Sequence, residues 1–356
     1  MAPPTKEIRY IGSKEKLLPF LAEHLFPRPP STGRPLRFLD GFAGTSVVGR
    51  LAQQHSYEVS LADLSYYSKA LSSRLFGGCL DKEWAGAVLD TIEAATLEPD
   101  VFFNEFSKGG VPTTANSALF SKQTTPSRLF FSAEAGAFID TYRSIVIKSG
   151  LPDLETNYLL SFLLKFADKN ANNTSVFGAY LKRENIPFIP FDFKAARQVI
   201  NGASGRATRF IQADILAVLD MPFEYDVIYL DPPYTTRRYE SNYHILNYIC
   251  NPDFNATHIK PGSKTGLPLN NPYNAFGSKK GTRYLFPQMI RKALAHSPKV
   301  VLSYSTDGEL TVSEIHQIAI DLGVSFSLFE QDYKKFKSKV AASQSEVKEL
   351  VYVFTQ

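Results

Sequence analysis

Cysteine, tryptophan and methionine are scarce: the 356 residues hold 2 Cys, 1 Trp and 3 Met. Cys79 and Cys250 lie far apart, with no C-x-x-C and no His/Cys cluster, which argues against a disulfide framework and a structural zinc site. No metal is expected. Long apolar runs are lacking too. The greasiest stretch, Asn157 to Ala167 (NYLLSFLLKFA), carries Lys165 and is too short to cross a bilayer, so no membrane association is expected. The polar opening from Met1 to Arg9 has no apolar core for a signal peptide. These gaps predict an intracellular protein of the reducing cytoplasm. Charge of one sign is nearly absent as well: 39 Lys+Arg against 35 Asp+Glu leave +4, too little by itself to demand a polyanionic partner. What is present, 44% apolar and 13% aromatic residues over this length, is the composition of one large globular domain or two unequal ones.

The positive charge is clustered. Lys334, Lys335, Lys337 and Lys339 fall within YKKFKSK, and Lys279, Lys280 and Arg283 cluster just upstream of a predicted helix. Such clusters suit phosphates, with a solvated lysine-rich loop as the structural alternative.

Arg37 to Asp40 (RFLD) reads as a short buried strand, followed by a glycine-bearing turn and a helix over Ser46 to Gln54. Further strands are expected at Glu58 to Ala62, Phe210 to Ala213, Val227 to Leu230 and Val300 to Tyr304, the α/β alternation of a parallel sheet. Ser325 to Asp332 and Glu349 to Thr355 alternate apolar and polar residues, which predicts an antiparallel hairpin at a sheet edge and hence a mixed sheet. Between Ser65 and Gly205 the rhythm lapses, with helical patterns at Ser132 to Ser149 and Leu154 to Asp168. The expected organisation is an α/β catalytic domain of residues 1–70 and 206–356 with a mainly helical insertion at 71–205.

The sharpest chemical signal is YDVIYLDPPY, Tyr225 to Tyr234. A buried strand ends in Asp231, and Pro232 and Pro233 stiffen the turn while lacking N–H groups. The turn therefore offers acceptors without competing donors. Asp231 adds a carboxylate and Tyr234 a flat ring, a combination suited to a planar base with an exocyclic amine. A proline-rich turn with an ordinary Asp cap is the structural alternative.

The second signal is FLDGFAGTSVVG. Asp40 closes the first strand, and Gly41, Gly44 and Gly49 let the backbone turn sharply toward a ligand at the helix N-terminus. Asp63 lies 23 residues on, at the end of the second strand, where an acid can accept both hydroxyls of a ribose. A strict G-x-G-x-x-G would place glycine at position 46, where Ser46 stands, and this speaks against a pyrophosphate. S-adenosylmethionine has no pyrophosphate and carries an ammonium that Asp40 can meet.

Taken together, RYIGSKEKLLPFL (Arg9 to Leu21), FLDGFAGTSVVG, VSLADLS and VIYLDPPY resemble the Dam-like DNA adenine methyltransferases, whose target-recognition segment precedes DPPY. FADKNANNTSVFGAYLK (Phe166 to Lys182), YESNYHILNYI (Tyr239 to Ile249) and KTG at Lys264 are similar to one branch of that family. The resemblance implies a Rossmann-like, S-adenosylmethionine-dependent methyltransferase fold. It assigns Tyr10 and Lys14 to an N-terminal cofactor-contact motif, Asp40 and Gly44 to the methionine half of the cofactor, and Asp63 to its ribose. Asp214, in IQADI, falls where an acid reaches the cofactor's adenine, a helix N-cap being the alternative. Asp231, Pro232, Pro233 and Tyr234 match the catalytic turn.

The expected reaction is direct methyl transfer from S-adenosyl-L-methionine to the N6 amine of an adenine flipped out of double-stranded DNA. The insertion at 71–205 is the candidate target reader, with Arg237, Arg238 and Lys264 as candidate DNA contacts. The branch resemblance implies a bacterial or phage modification enzyme with a cognate restriction endonuclease, acting as a monomer. Methylation of RNA adenine, or of cytosine N4 in DNA, uses the same turn and remains an alternative, as does a DNA-binding regulator with an idle catalytic turn.

Overall fold

The computed structural model describes residues 8–26, 34–115, 127–183, 185–205, 207–235, 239–270, 276, 278–332 and 347–355. The chain divides into two compact units. One, the sheet unit, comprises Ser13–Leu64, Ala207–Arg238 and Pro272–Gln356; the other, the helical unit, comprises Met1–Gly12, Ser65–Arg206 and Tyr239–Asn271.

The sheet unit is built on seven strands: β1 (Arg37–Asp40), β2 (Glu58–Ala62), β3 (Arg209–Ile211), β4 (Val227–Leu230), β5 (Lys299–Ser305), β6 (Ser325–Asp332) and β7 (Lys348–Thr355). Their spatial order is β3-β2-β1-β4-β5-β7-β6. The first five run parallel, with Leu39 opposite Ser60 on one side and Ile228 on the other. β7 runs antiparallel to both β5 and β6. The expected mixed sheet is therefore present. β1, β2, β4 and β5 are buried along nearly their whole length, which is why they read as short continuous apolar runs. The C-terminal hairpin is less symmetrical than its alternation suggested. β6 is the half-exposed edge, whereas β7 lies inside the sheet and buries Leu350, Val351, Tyr352 and Phe354. Leu39, Ile228, Leu230, Val300 and Leu302 share one core with Phe286, Met289 and Ile290 of the helix Lys279–His296 and with Ile315 of the helix Val312–Leu322. Each such side chain contributes about 1.5–3 kcal/mol through burial.

The helical unit packs Tyr66–Ser72, Lys82–Ala94, Val101–Phe106, Ala133–Lys148, Asp153–Asn170, Phe193–Asn201 and Tyr239–Cys250. Phe102, Phe106, Phe130, Tyr142, Leu159, Leu163, Tyr243 and Leu246 form its core. Polar pins hold the short helix Val101–Phe106: Asp140 accepts from the N–H groups of Asp100, Phe102 and Phe103, each at 2.8 Å. Glu105 pairs with the fully buried Arg128 at 2.5 Å and accepts from the hydroxyls of Thr113 and Thr114. The unit thus holds the whole of 71–205 but is larger than that stretch, because Tyr243 and Leu246 of the 239–271 segment and Tyr67 of 65–70 belong to its core.

Candidate active site

Three adjacent strands end in carboxylates: β1 at Asp40, β2 just before Asp63, and β4 just before Asp231. Between β1 and β4 the direction of strand order reverses, because β2 and β3 build outward on one side and β4 and β5 on the other. Ligands of open α/β sheets bind outside the carboxyl ends of the strands at such a switch point.

After β1 the backbone turns back tightly. Ala43 N–H donates to the carbonyl of Ala62, and Gly44 N–H donates to Asp63 Oδ2 at 2.9 Å. Gly44 has φ +50°, a left-handed conformation. Ser46 adopts one too, with φ +58°, immediately before the helix Val47–Gln54. The position where the stricter glycine pattern has its second glycine is thus a site of backbone strain here. Gly49 is glycine for a different reason: a Cβ there would stand 2.5 Å from Leu61 Cδ2. Its N–H donates to Asp40 Oδ2 at 3.0 Å. Asp40 is 1% exposed, and its Oδ1 has no hydrogen-bond partner. Burial pushes its carboxyl up to about 7, and the charges of Asp231 and Asp63 add to the rise, while the N–H groups of Gly49 and Phe42 oppose it. A cation beside Oδ1 would reverse that rise.

β4 delivers Asp231 and the rigid Pro232-Pro233-Tyr234 turn. Lys14, in the short 3-10 helix Lys14–Leu17, places its buried ammonium 3.1 Å from Asp231 Oδ1 and 2.5 Å from Glu349 Oε1 of β7. Only the second contact has hydrogen-bond geometry, so Asp231 Oδ1 is buried without a hydrogen bond. Ser303 Oγ of β5 also donates to Glu349 Oε1, at 3.1 Å. Burial pushes Asp231 up to about 6; Lys14 opposes the rise and Glu349 adds to it. Burial works against the charge of Lys14, yet Asp231 and Glu349 keep it an ammonium far above ordinary pH. The same ammonium lies 5.3 Å from the centroid of the Tyr234 ring, which leans on Tyr304 at 5.6 Å. Tyr234 is held by its backbone as well, its carbonyl accepting from Glu309 N–H at 2.8 Å.

Lys14, Asp40, Gly44, Asp63 and Asp231 to Tyr234 therefore all belong to the sheet unit, at or beside these strand ends. Asp214 belongs there too. It caps the helix Ile215–Val218, with Oδ1 accepting from Leu216 N–H at 2.9 Å. The helix-cap reading of Asp214 describes what that oxygen does. Tyr10 is in the helical unit, where its ring stacks on Tyr243 at 4.7 Å and its hydroxyl lies 3.3 Å from that of Tyr67. Lys264 is exposed in the helical unit. Arg237, Arg238 and the lysines from 334 to 339 lie outside the described residues. Lys279 and Lys280 are exposed, and Arg283 pairs with Glu314 at 2.6 Å. Among the described residues no group of His, Cys, Asp and Glu is arranged to hold a metal ion, and no helix is long and apolar enough to cross a membrane. Sequence reasoning missed Glu349 and Ser303. The available signal was an acid set directly against a run of buried apolar residues in KELVYVF.

A seven-stranded sheet in this order, with an antiparallel last hairpin and a D-P-P-Y turn at the switch point, defines a Rossmann-like methyltransferase. Residues 10–266 match the model of the D12 class N6 adenine-specific DNA methyltransferases, and the chain belongs to that family. It is similar to the type II methyltransferase M.NlaIII of Neisseria lactamica, 30% identical over 336 residues and 93% of each chain. It is also similar to M.CviAII of Paramecium bursaria Chlorella virus 1, 26% identical over 353 residues and 97% of each chain. M.FokI of Planomicrobium okeanokoites is 25% identical over 362 residues, which cover 97% of this chain and 52% of that one. The enzyme is an N6 adenine-specific DNA methyltransferase, and its reaction requires a methyl donor.

Proposed function

We propose that the donor is S-adenosyl-L-methionine and that the sheet unit methylates an adenine flipped out of duplex DNA. The observation that carries this reading is the pair of buried carboxylate oxygens without hydrogen bonds, Asp40 Oδ1 and Asp231 Oδ1, at the ends of neighbouring strands. The residues fit the donor: Asp40 suits its ammonium, Asp63 its ribose hydroxyls, and Ser46 stands where a pyrophosphate site has its second glycine. Tyr10, Lys14 and Asp214 complete the proposed cofactor set. When bound, the donor supplies a sulfonium-activated methyl group.

The chain's own work is then acceptance, stacking and alignment. Asp231 and the Pro232 carbonyl accept from the adenine N6 hydrogens, favouring a more tetrahedral nitrogen and stabilising the positive charge that grows on it. Tyr234 and the stiff prolines set the ring plane. Held by Asp40 and Asp63, the donor would supply a methyl group to the N6 lone pair and would keep the C–S electrons as a neutral thioether, and the surplus proton on nitrogen would pass to solvent.

The helical unit, with residues 71–205 at its centre, is proposed to read the target sequence, with Lys264, Arg237 and Arg238 touching DNA. Similarity to type II methyltransferases supports a role as the modification half of a restriction-modification system, beside a cognate restriction endonuclease. It is proposed to act as a cytoplasmic monomer, one strand per visit. The test is to express the chain in cells lacking adenine methylation and to sequence their DNA with modification-sensitive single-molecule reads. N6-methyladenine at one short motif is expected. Unmodified DNA from cells holding folded, S-adenosylmethionine-binding protein would overturn the proposal.

A further inference from the structure

The catalytic turn is part of a buried charge cluster that includes a residue outside every motif. Two carboxylates, Asp231 and Glu349, share the single ammonium of Lys14. They do so unequally. Glu349 Oε1 takes the hydrogen bond at 2.5 Å, while Asp231 Oδ1, at 3.1 Å, has an ion pair without one. Ser303 Oγ donates to that same Glu349 oxygen and so fixes its position across the β5–β7 ladder. A Lys14–Asp231 pair alone would close up, because a buried ammonium and a carboxylate in contact seek full hydrogen bonding. Asp231 would then be a weaker acceptor for an amine, its negative charge drawn onto the ammonium and one of its lone pairs occupied.

We propose that Glu349 is a positioning residue for methyl transfer: by holding the Lys14 ammonium it keeps the cation from closing fully onto Asp231, so that this carboxylate stays available as an acceptor, and it keeps the cation against the Tyr234 ring. The proposal rests on the reading of Asp231 as acceptor of the adenine amine. Glu349 acts through Lys14 and need not touch either substrate. The charged and titratable groups around Asp231 are Lys14 from the 3-10 helix, Glu349 from β7 and Asp40 from β1, with Tyr229 of β4 and Tyr234 beside the ammonium. Glu349 raises the Asp231 carboxyl and Lys14 lowers it, so removing the Glu349 charge alone moves Asp231 downward.

The experiment compares Glu349→Gln, Glu349→Asp and the double variant Lys14→Met/Glu349→Gln in the full chain. Each is assayed from pH 5.5 to 8.5 by transfer of labelled methyl from S-adenosylmethionine to genomic DNA lacking adenine methylation. Glu349→Gln is expected to lower kcat by about tenfold or more, the scale of outer supporting contacts. Its acid limb should move down by about one pH unit. S-adenosylhomocysteine should bind within about twofold of wild type, because Asp40 and Asp63 are untouched. Glu349→Asp should recover part of the rate. The double variant should move the acid limb upward, since Asp231 then stands buried without a cation. A folded Glu349→Gln enzyme with wild-type kcat and pH profile overturns the proposal. If that variant does not fold, a double variant with the wild-type acid limb overturns it instead. Asp231→Asn separates the two ideas: high activity there sinks the amine-acceptor reading, whereas its inactivity beside a normal Glu349→Gln sinks only the role of Glu349.

Discussion

The two compact units bury acids in opposite ways. In the helical unit both oxygens of Asp140 and both of Glu105 receive donors, from three backbone N–H groups in the first case and from Thr113, Thr114 and Arg128 in the second. Although burial raises Glu105, those hydroxyls and the Arg128 guanidinium bring it below the ordinary carboxylate range. In the sheet unit Asp40 and Asp231 each keep a buried oxygen with no hydrogen bond. Burial raises them to about 7 and about 6, and it raises the fully bonded Asp140 to about 6 as well, so the hydrogen bonds and not the titration mark the difference. An unmet buried acceptor costs about 1–3 kcal/mol. The first pattern is that of acids that hold a fold; the second is the one expected of acids that serve a ligand, the role proposed for Asp40 and Asp231.

Four substitutions or conditions test that contrast. The largest effect is expected at Asp231. Asp231→Ala should reduce methyl transfer about a thousandfold or more while cofactor affinity stays within a few fold, measured by label transfer and calorimetry; retained turnover would place Asp231 with the structural acids. Next comes the structural pair. Arg128→Met leaves Glu105 buried without its cation and should cost about 3–5 kcal/mol, read as a fall in the thermal unfolding midpoint; a loss near zero would mean that the pair does not hold the helical unit.

The third concerns Asp40. If Asp40 holds the cationic donor as proposed, its ionised form binds and protonation competes with binding. Affinity should therefore fall as pH drops below about 7, by about tenfold per unit at the limit. Asp40→Asn should bind weakly at all pH values and lose that slope. A pH-independent wild-type affinity would remove Asp40 from the cofactor site. The smallest effect is at Ser46, where glycine would relieve the left-handed strain. Ser46→Gly should gain up to about 1 kcal/mol, in spite of the added freedom of the unfolded chain; chemical denaturation checks it, and a loss of stability would show that the serine hydroxyl is worth more than the strain.

Much of the sheet unit is legible in the sequence. β1, β2 and β4 coincide with their expected spans because strands buried on both faces must be short, apolar and bounded by turn residues. The helix after β1 starts at Val47, one residue later than expected, because Ser46 takes the left-handed conformation. The third strand ends at Ile211, before the expected Ala213, where the chain bends to let Asp214 cap its helix. The helical unit was less readable. Its limits depend on packing of Tyr243 with Tyr67 and Tyr10, 176 and 233 positions away, and no local pattern marks that.

The strand ends and the D-P-P-Y turn are fixed by local chemistry, since each rests on residues within about ten positions of one another, where proline, glycine and strand burial act. Tertiary structure decided which charges meet. Lys14, Asp231, Ser303 and Glu349 span nearly the whole chain and come together only because β7 inserts between β5 and β6. A buried ammonium imposes its pairing over a few ångströms of space, whatever the separation along the chain.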